Sequence, residues 1–231
     1  MPAITVQNLG AVMPGIDVFE ALADRYDSWF ERNRIIAEAE ARLVSSMVDK
    51  RPILEIGAGT GFFASRVSAE AGIDPSISML SRAARRMRYS LLVRGVGERL
   101  PFRDSVFSTV LVVVTLCFVE DPRKVLLESR RVLTGDGDLV ACIVPRDTPW
   151  GIFYEELGRT GHPFYSRARF LSLGELRRLI LGAGFEITEE RGVLGFAPHE
   201  EPRLEKPSGE VRGKGFVCVK AVKRREAARR A

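Results

Sequence analysis

ILEIGAGTGFF, residues 53–63, is the stretch on which the fold turns. Pro52 leads into a short apolar run, Ile53, Leu54, Glu55 and Ile56, of strand length. Three glycines then follow at alternate positions, Gly57, Gly59 and Gly61, before a helix-like stretch over 62–69. Glycine here permits a tight turn and lets a ligand approach the backbone closely. Free N–H groups at the start of the next helix favour an anionic group. Asp74 ends the following strand, seventeen residues past Gly57. Its carboxylate then stands beside the crevice at the strand ends, where a ribose can lie. A dinucleotide fold expects G-x-G-x-x-G, whereas the loop is G-x-G-x-G with Glu55 two residues ahead. A P-loop needs G-K-[S/T], and no lysine lies between Lys50 and Lys124. A tight glycine turn without a ligand is the third alternative.

Outward from that loop, strand-like and helix-like segments alternate, as in a parallel sheet covered on both faces. Residues 17–48 read as two helices, with Val18, Leu22 and Tyr26 on one stripe and Ile35, Ile36, Ala39, Leu43, Val44 and Met47 on another. After Asp74 come a helix over 77–88 and a strand over 91–94. Arg82, Arg85, Arg86 and Arg88 fall on that helix's outer face as a solvated basic patch. The β-branched run 108–114 suits a strand buried on both faces. Asp121-Pro122 starts a helix through Leu133. Gly135-Asp136-Gly137 turns the chain into a strand over 138–144. The rhythm then stops: residues 145–171 carry six Gly and Pro among Trp150, Phe153, Tyr154, Phe164, Tyr165 and Phe170, an insertion or a lid. A helix over 173–182 and strands near 185–194 and 215–222 finish the chain.

The 231 residues, 45% hydrophobic and 28% charged, suffice for one domain with a core of its own. Its parts are N-terminal helices (1–49), a core (50–145), the lid-like segment (146–171), a C-terminal helix and strand pair (172–222) and a basic tail (223–231). The longest apolar run, 109–119, is far short of the roughly 18–20 residues of a membrane helix. No signal segment opens the sequence, so a cytoplasmic protein is expected. Cys117, Cys142 and Cys218 lie far apart, which speaks against a metal site and against a disulfide framework. With only two histidines, no metal is expected. Arginine outnumbers lysine 29 to 6 and the amides are nearly absent, which fits a heat-adapted source as well as codon bias.

The segment LEIGAGTGFF resembles the first motif of class I S-adenosylmethionine-dependent methyltransferases. The resemblance continues through Ile73-Asp74-Pro75-Ser76 with Met79-Leu80, and Gly97-Glu98-Arg99-Leu100-Pro101-Phe102. Phe118-Val119-Glu120-Asp121-Pro122 and Arg131-Val132-Leu133-Thr134-Gly135-Asp136-Gly137 extend it in order. It is similar above all to the small-molecule branch related to quinone-biosynthesis C-methyltransferases. Around Leu116-Cys117-Phe118 and Phe164-Tyr165-Ser166 it looks like a thermophile subgroup. The resemblance implies an α/β fold with a doubly wound, seven-stranded, mostly parallel Rossmann-like sheet, whose last pair supplies one antiparallel strand. S-adenosylmethionine is the implied cofactor. Gly57, Ala58, Gly59, Thr60 and Gly61 would pass under it, and Glu55 would help hold its amino-acid end. Asp74 would take both ribose hydroxyls, Pro75 and Met79 would pack on the adenine, Gly97 and Glu98 would border its edge, and Thr115 and Leu116 would lie below.

Four positions depart from the family pattern. Val96 stands where an Asp usually accepts from the adenine amino group, and the loss of one such bond costs about 0.5–1.5 kcal/mol. Ser108 replaces an Asp, Leu116-Cys117-Phe118 replaces Leu-His-His, and Gly135-Asp136-Gly137 replaces a Gly-Gly turn. Methyl transfer from a sulfonium needs mostly positioning, and a base only when the nucleophile carries a proton. His162 and Tyr26 are the catalytic candidates; Trp29, Trp150, Tyr154 and Tyr165 are the candidates for the substrate pocket. Each has a plain packing alternative. The function implied is methyl transfer to a small-molecule acceptor, with a catalytically weak, regulatory fold member and an RNA methyltransferase as alternatives. The last rests on a net charge of +5 and a pI near 9.4. Residues 223–231 carry five bases and one acid, which leaves 30 basic and 29 acidic residues for the body. A near-neutral body makes nucleic acid an unlikely partner and leaves the basic character to the tail.

Overall fold

The computed structural model describes residues 4–6, 16–88 and 90–224. Among them one sheet contains β1 (Ile4–Val6), β2 (Ile53–Ile56), β3 (Ala71–Asp74), β4 (Leu91–Arg94), β5 (Phe107–Val113), β6 (Leu133–Ile143), β7 (Phe185–Val193) and β8 (Phe216–Lys223). Their order is β1-β4-β3-β2-β5-β6-β8-β7. Every neighbouring pair is parallel except those of β8, which runs antiparallel to both β6 and β7. The order reverses at β2, so the glycine loop and the end of β5 open into the same crevice, as ligand sites in doubly wound sheets do.

The strand count is eight, not the seven expected. The three-residue β1 extends the edge by pairing Ile4, Thr5 and Val6 with Leu92, Val93 and Arg94. β6 also begins earlier than expected, directly after α6 (Pro122–Val132), because Leu133 already pairs with Phe107; Gly135-Asp136-Gly137 lies in the register shift after that pair, and the regular ladders with β5 and β8 start at Asp138. The cysteine expectation is corrected as well. Cys142 and Cys218, 76 residues apart, form a disulfide. They are directly opposite in the β6–β8 ladder, a closeness created by the antiparallel register and invisible in sequence spacing.

Alternation along the strands sends side chains to two cores. Ile53, Leu111 and Val113 join the first, together with α3 (Arg34–Ser46), α4 (Phe62–Arg66) and α5 (Ile77–Arg86). Leu54, Ile56, Val110 and Val112 join the second, with α6 and α8 (Leu173–Gly182). The N-terminal segment forms three helices rather than two: α1 (Ile16–Ala21), α2 (Ala23–Arg32) and α3. The chain breaks at Asn33, whose side-chain amide donates to the Trp29 carbonyl at 3.0 Å. Ile35, expected on the apolar stripe, is 46% exposed.

Helix α5 is the anchor for this N-terminal layer. The Arg82 guanidinium donates to Asp24 at 2.8 Å, and Arg86 donates to Asp27 at 2.7 Å and to the Thr60 carbonyl at 2.9 Å. The arginines expected as a solvated patch therefore include two that fasten α2 to the glycine loop and α5. Glu20 on α1 accepts from the Ser76 hydroxyl at 2.6 Å and the Ser78 hydroxyl at 2.9 Å. Burial pushes its pKa up, but the bonds from Ser76 and Ser78 outweigh this and hold it below the usual range. Segment 146–171 is built rather than open: Thr148 caps α7 (Pro149–Arg159), and a short turn of 3₁₀ helix, Tyr165–Arg167, leads to Arg169, whose backbone N–H donates to the Cys117 carbonyl at 2.8 Å. Of the basic tail, residues 225–231 lie outside the described residues. No helix among the described residues is long and apolar enough to cross a membrane.

Candidate active site

The glycine loop leaves β2 with all three glycines at positive φ: 71° at Gly57, 52° at Gly59 and 78° at Gly61. L-residues rarely adopt this region, so the loop demands glycine for its backbone alone. The space around each differs. A Cβ on Gly57 would lie 2.3 Å from the Thr115 hydroxyl oxygen, and one on Gly61 would lie 3.1 Å from Ala83. These two glycines let the loop pack on β5's exit and on α5. A Cβ on Gly59 would meet nothing nearer than Tyr26 at 3.8 Å. Its bare Cα faces a cleft of about 450 Å³, an open cradle for a ligand.

Asp74 lies at the end of β3, on the wall of that cleft, and is 8% exposed. Its Oδ2 accepts from the Gly59 N–H and its Oδ1 from the Ser76 N–H, both at 2.9 Å. Burial pushes its pKa up to about 6, against those two N–H bonds and with a further push from Glu20. Each carboxylate oxygen retains acceptor capacity beyond the one backbone bond. Pro75, Met79, Val96, Gly97, Glu98 and Thr115 complete this side of the cleft. Gly97 is there for packing, since a Cβ would come within 2.7 Å of Ile56. Glu98 Oε1 accepts from the Glu120 N–H at 2.9 Å, which holds the approach to α6 at the cleft's edge. The loop after Glu98 is pinned by Arg131, which donates to the Leu100 and Phe102 carbonyls and to Glu128.

Five of the expected cofactor residues lie behind the cleft's lining. Ala58, Thr60, Gly61 and Leu116 do not line the cleft; Leu116 is 2% exposed and belongs to the core under α6. Glu55 is buried beneath the loop rather than in the cleft wall. Burial pushes it well above the usual carboxyl range; the Ala64 N–H bond opposes this and the charge of Asp74 adds to it. Its Oε2 has no hydrogen-bond partner among the described residues.

The opposite wall comes from segments without motifs. Ile16 and Phe19 on α1, Tyr26 on α2 and residues 166–169 cover the cleft. Phe19 packs on Tyr26, Phe118 and Phe164 with ring centroids 5.0–6.0 Å apart. Burial keeps the Tyr26 phenol protonated. Tyr26, Val114 and Phe118 also line a second cavity of about 100 Å³, so they partition the two spaces. Val114 stands at φ 49°, a conformation that β-branched residues avoid. Its N–H donates to the Cys142 carbonyl at 2.8 Å, which holds this strained corner between the cavities.

Of the acceptor candidates, Trp29, Tyr154, Tyr165 and His162 line the second cavity. Trp150 lines neither. Its indole N–H donates to the Phe196 carbonyl at 2.6 Å, and its ring fills the space that Gly215 leaves open, so packing accounts for it. Cys117 is an inert thiol: burial pushes it up to about 12. The His162 Nδ1 is buried without a partner, and burial, helped by the charge of Arg25, lowers its pKa. One residue of this cavity, Glu40, escaped the sequence reading. It is 6% exposed and lies on α3 among Ile36, Leu43, Val44 and Met47, all buried. An acid four residues after Ile36 and three before Leu43 interrupts an apolar stripe, and that interruption was the available signal.

Residues 54–141 match the family model described as a methyltransferase domain. An uncharacterized protein of Mycobacterium tuberculosis is 36% identical over 220 residues, covering 91% of this chain and 75% of its own length. A demethylmenaquinone methyltransferase of Streptomyces griseus is 33% identical over 165 residues, covering 65% of this chain and 70% of its own. Among solved structures, a Thermotoga maritima SAM-dependent methyltransferase, described as a possible histamine N-methyltransferase, superposes with a TM-score of 0.85. It is 33% identical, over 90% of this chain and 99% of its own. Such matches imply S-adenosylmethionine as the cofactor, and the open cradle at Gly59 and the spare acceptor capacity of the buried Asp74 carboxylate fit that molecule. The chain belongs to the class I S-adenosylmethionine-dependent methyltransferases.

Proposed function

We propose that the protein methylates a small-molecule acceptor. What carries this reading is the acceptor side: the space beyond Tyr26, Val114 and Phe118 is a small ring-lined cavity of about 100 Å³. S-adenosylmethionine supplies an activated methyl group and departs as S-adenosylhomocysteine. Asp74 would hold the ribose hydroxyls, Pro75 and Met79 the adenine face, and Gly59 the close approach of the chain. Tyr26, Phe19 and Phe118 exclude water, and aromatic faces favour a cation beside them. The names of two relatives, one acting on a demethylated quinone and one described through histamine, support an acceptor of modest size. The test is transfer of a labelled methyl group to two acceptor pools, a low-mass metabolite extract and bulk tRNA. Label is expected in the low-mass pool; label in tRNA alone would overturn the proposal.

Gly59→Ala separates ligand space from fold. The added methyl group meets no protein atom closer than Tyr26 at 3.8 Å, so its structural cost is the positive φ, about 1–2 kcal/mol. The methyl group projects into the cleft. S-adenosylhomocysteine affinity, measured by isothermal titration, is expected to fall at least tenfold, while the melting temperature drops by a few degrees.

A further inference from the structure

Glu40 is a buried acid without a stated task. It is 6% exposed, yet no side-chain or backbone group donates to it among the described residues. It lines the second cavity, which is otherwise walled largely by rings: Trp29, Phe30, Phe63, Tyr154, Tyr165 and Phe170. Burying a carboxyl without a partner costs free energy that a chain built only to fold would avoid by placing Ala or Leu there. The titratable and charged groups facing it are few. Tyr26, Tyr154 and Tyr165 are phenols that burial keeps protonated. His162 stacks on Tyr165 with centroids 4.4 Å apart and is held neutral by burial and by Arg25. Arg25 and Arg32 reach the rim from the exposed face of α2, and Arg32 is engaged by the Ser28 hydroxyl at 2.9 Å. Among the described residues no cation pairs with the carboxyl.

A carboxylate among aromatic faces is suited to a cation: the charge pairs with the acid, and the rings present their negative faces to it. An anion would meet the negative ring faces and could not pair with the acid. The partition at Tyr26, Val114 and Phe118 puts this chamber next to the cofactor cleft. We propose that the chamber is the acceptor site and that it takes a small amine, bound as the ammonium with its nitrogen held by Glu40 and its carbon frame packed between Trp29, Tyr154 and Tyr165; for transfer, the ammonium returns one proton to the Glu40 carboxylate, and the freed nitrogen lone pair takes the methyl group as S-adenosylhomocysteine leaves. This rests on the methyl-transfer reading above and names the substrate class of that same site.

Binding has a proton signature. Burial pushes Glu40 up to about 8, so the free protein carries the proton on Glu40 at pH 7. An ammonium ligand ionises the acid on pairing, and that proton leaves to the buffer. The experiment is isothermal titration of the S-adenosylhomocysteine-loaded protein with ethylamine, benzylamine and 2-phenylethylamine, and with benzyl alcohol and phenylacetate as uncharged and anionic controls. Each titration is run at pH 7 in two buffers of different ionisation heat. At least one amine is expected to bind, releasing up to one proton, and to bind at least tenfold more tightly than either control. Glu40→Gln should weaken it at least tenfold, abolish the release and leave S-adenosylhomocysteine affinity unchanged. The release is read on the unaltered protein and stands whatever the variant does. Absence of binding by every amine, binding without proton release, equal affinity in Glu40→Gln, or tighter binding of phenylacetate would overturn the proposal. Failure of S-adenosylhomocysteine to bind would instead overturn the cofactor reading; the same amine titrations on the free protein then decide the chamber by itself.

Discussion

Asp74→Asn is expected to weaken S-adenosylhomocysteine binding at least a hundredfold while the melting temperature stays within a few degrees. Each Asp74 oxygen is oriented by one backbone N–H, from Gly59 or Ser76, and keeps acceptor capacity toward the cleft. A ribose diol donating to that carboxylate would form two charge-assisted bonds, each contributing about 1.5–3 kcal/mol. Losing most of that corresponds to roughly a 10²–10⁴-fold change in dissociation constant. Asparagine keeps the shape but replaces one oxygen by an NH₂ group, which must face either a backbone N–H or a ribose hydroxyl. Because burial pushes Asp74 up to about 6, the charged acceptor is lost as pH falls through that value. Affinity of the unaltered protein should therefore decline below pH 6, and that of the variant should not follow. Equal affinity of the two proteins at pH 8 would remove Asp74 from the ribose role.

The glycine loop, Asp74 and the βα order were visible in the sequence because each depends on neighbours along the chain. Helix α8 matched residue for residue, since Ser172 and Glu175 close a capping box at its start. The start at Asp121-Pro122 held for the same local reason, with Asp121 accepting from the Lys124 N–H at 3.1 Å. What stayed hidden depends on partners distant in sequence. Three residues of β1 carry no pattern of their own and become a strand only against β4. Cys142 and Cys218 meet only through the β6–β8 register. The pairing of Leu133 with Phe107 ahead of Gly135-Asp136-Gly137 was hidden too, although the regular ladder starts at Asp138 after those glycines. On the cofactor side the motif residues Gly57, Gly59, Asp74, Pro75, Met79, Gly97, Glu98 and Thr115 all line one cleft, while Ala58, Thr60, Gly61 and Leu116 lie behind its lining. The acceptor side was not legible in this way, because aromatic residues on helices look the same whether they pack a core or line a cavity. Trp150 and Tyr154 lie within one helix, and only the second faces the chamber.

Glu40 is a residue whose titration should weigh heavily in the pH dependence of stability. Burial alone moves its carboxyl from the ordinary value of 4.5 up to about 8. A raised acid favours folding fully below its unfolded value, and that contribution is lost as pH rises through the folded one. Each pH unit across this window corresponds to about 1.4 kcal/mol, so the loss between pH 4.5 and 8 is roughly 4–5 kcal/mol. That is a large part of the ~5–15 kcal/mol by which domains are stable. Asp74 and Glu55 are raised by burial too and act in the same direction, while His162, lowered by burial, acts in the opposite one. Comparison with Glu40→Gln subtracts all three. The glutamine fills the same volume and carries no charge to desolvate. Thermal melts from pH 5 to pH 8.5 are expected to coincide for the two proteins at the acid end. At the alkaline end the variant should melt higher by ~10 °C or more, given a shift of about 2–4 °C per kcal/mol in a chain of this size. Parallel melting curves would mean that the Glu40 carboxyl is solvated, and the dry aromatic chamber around it would have to be redrawn.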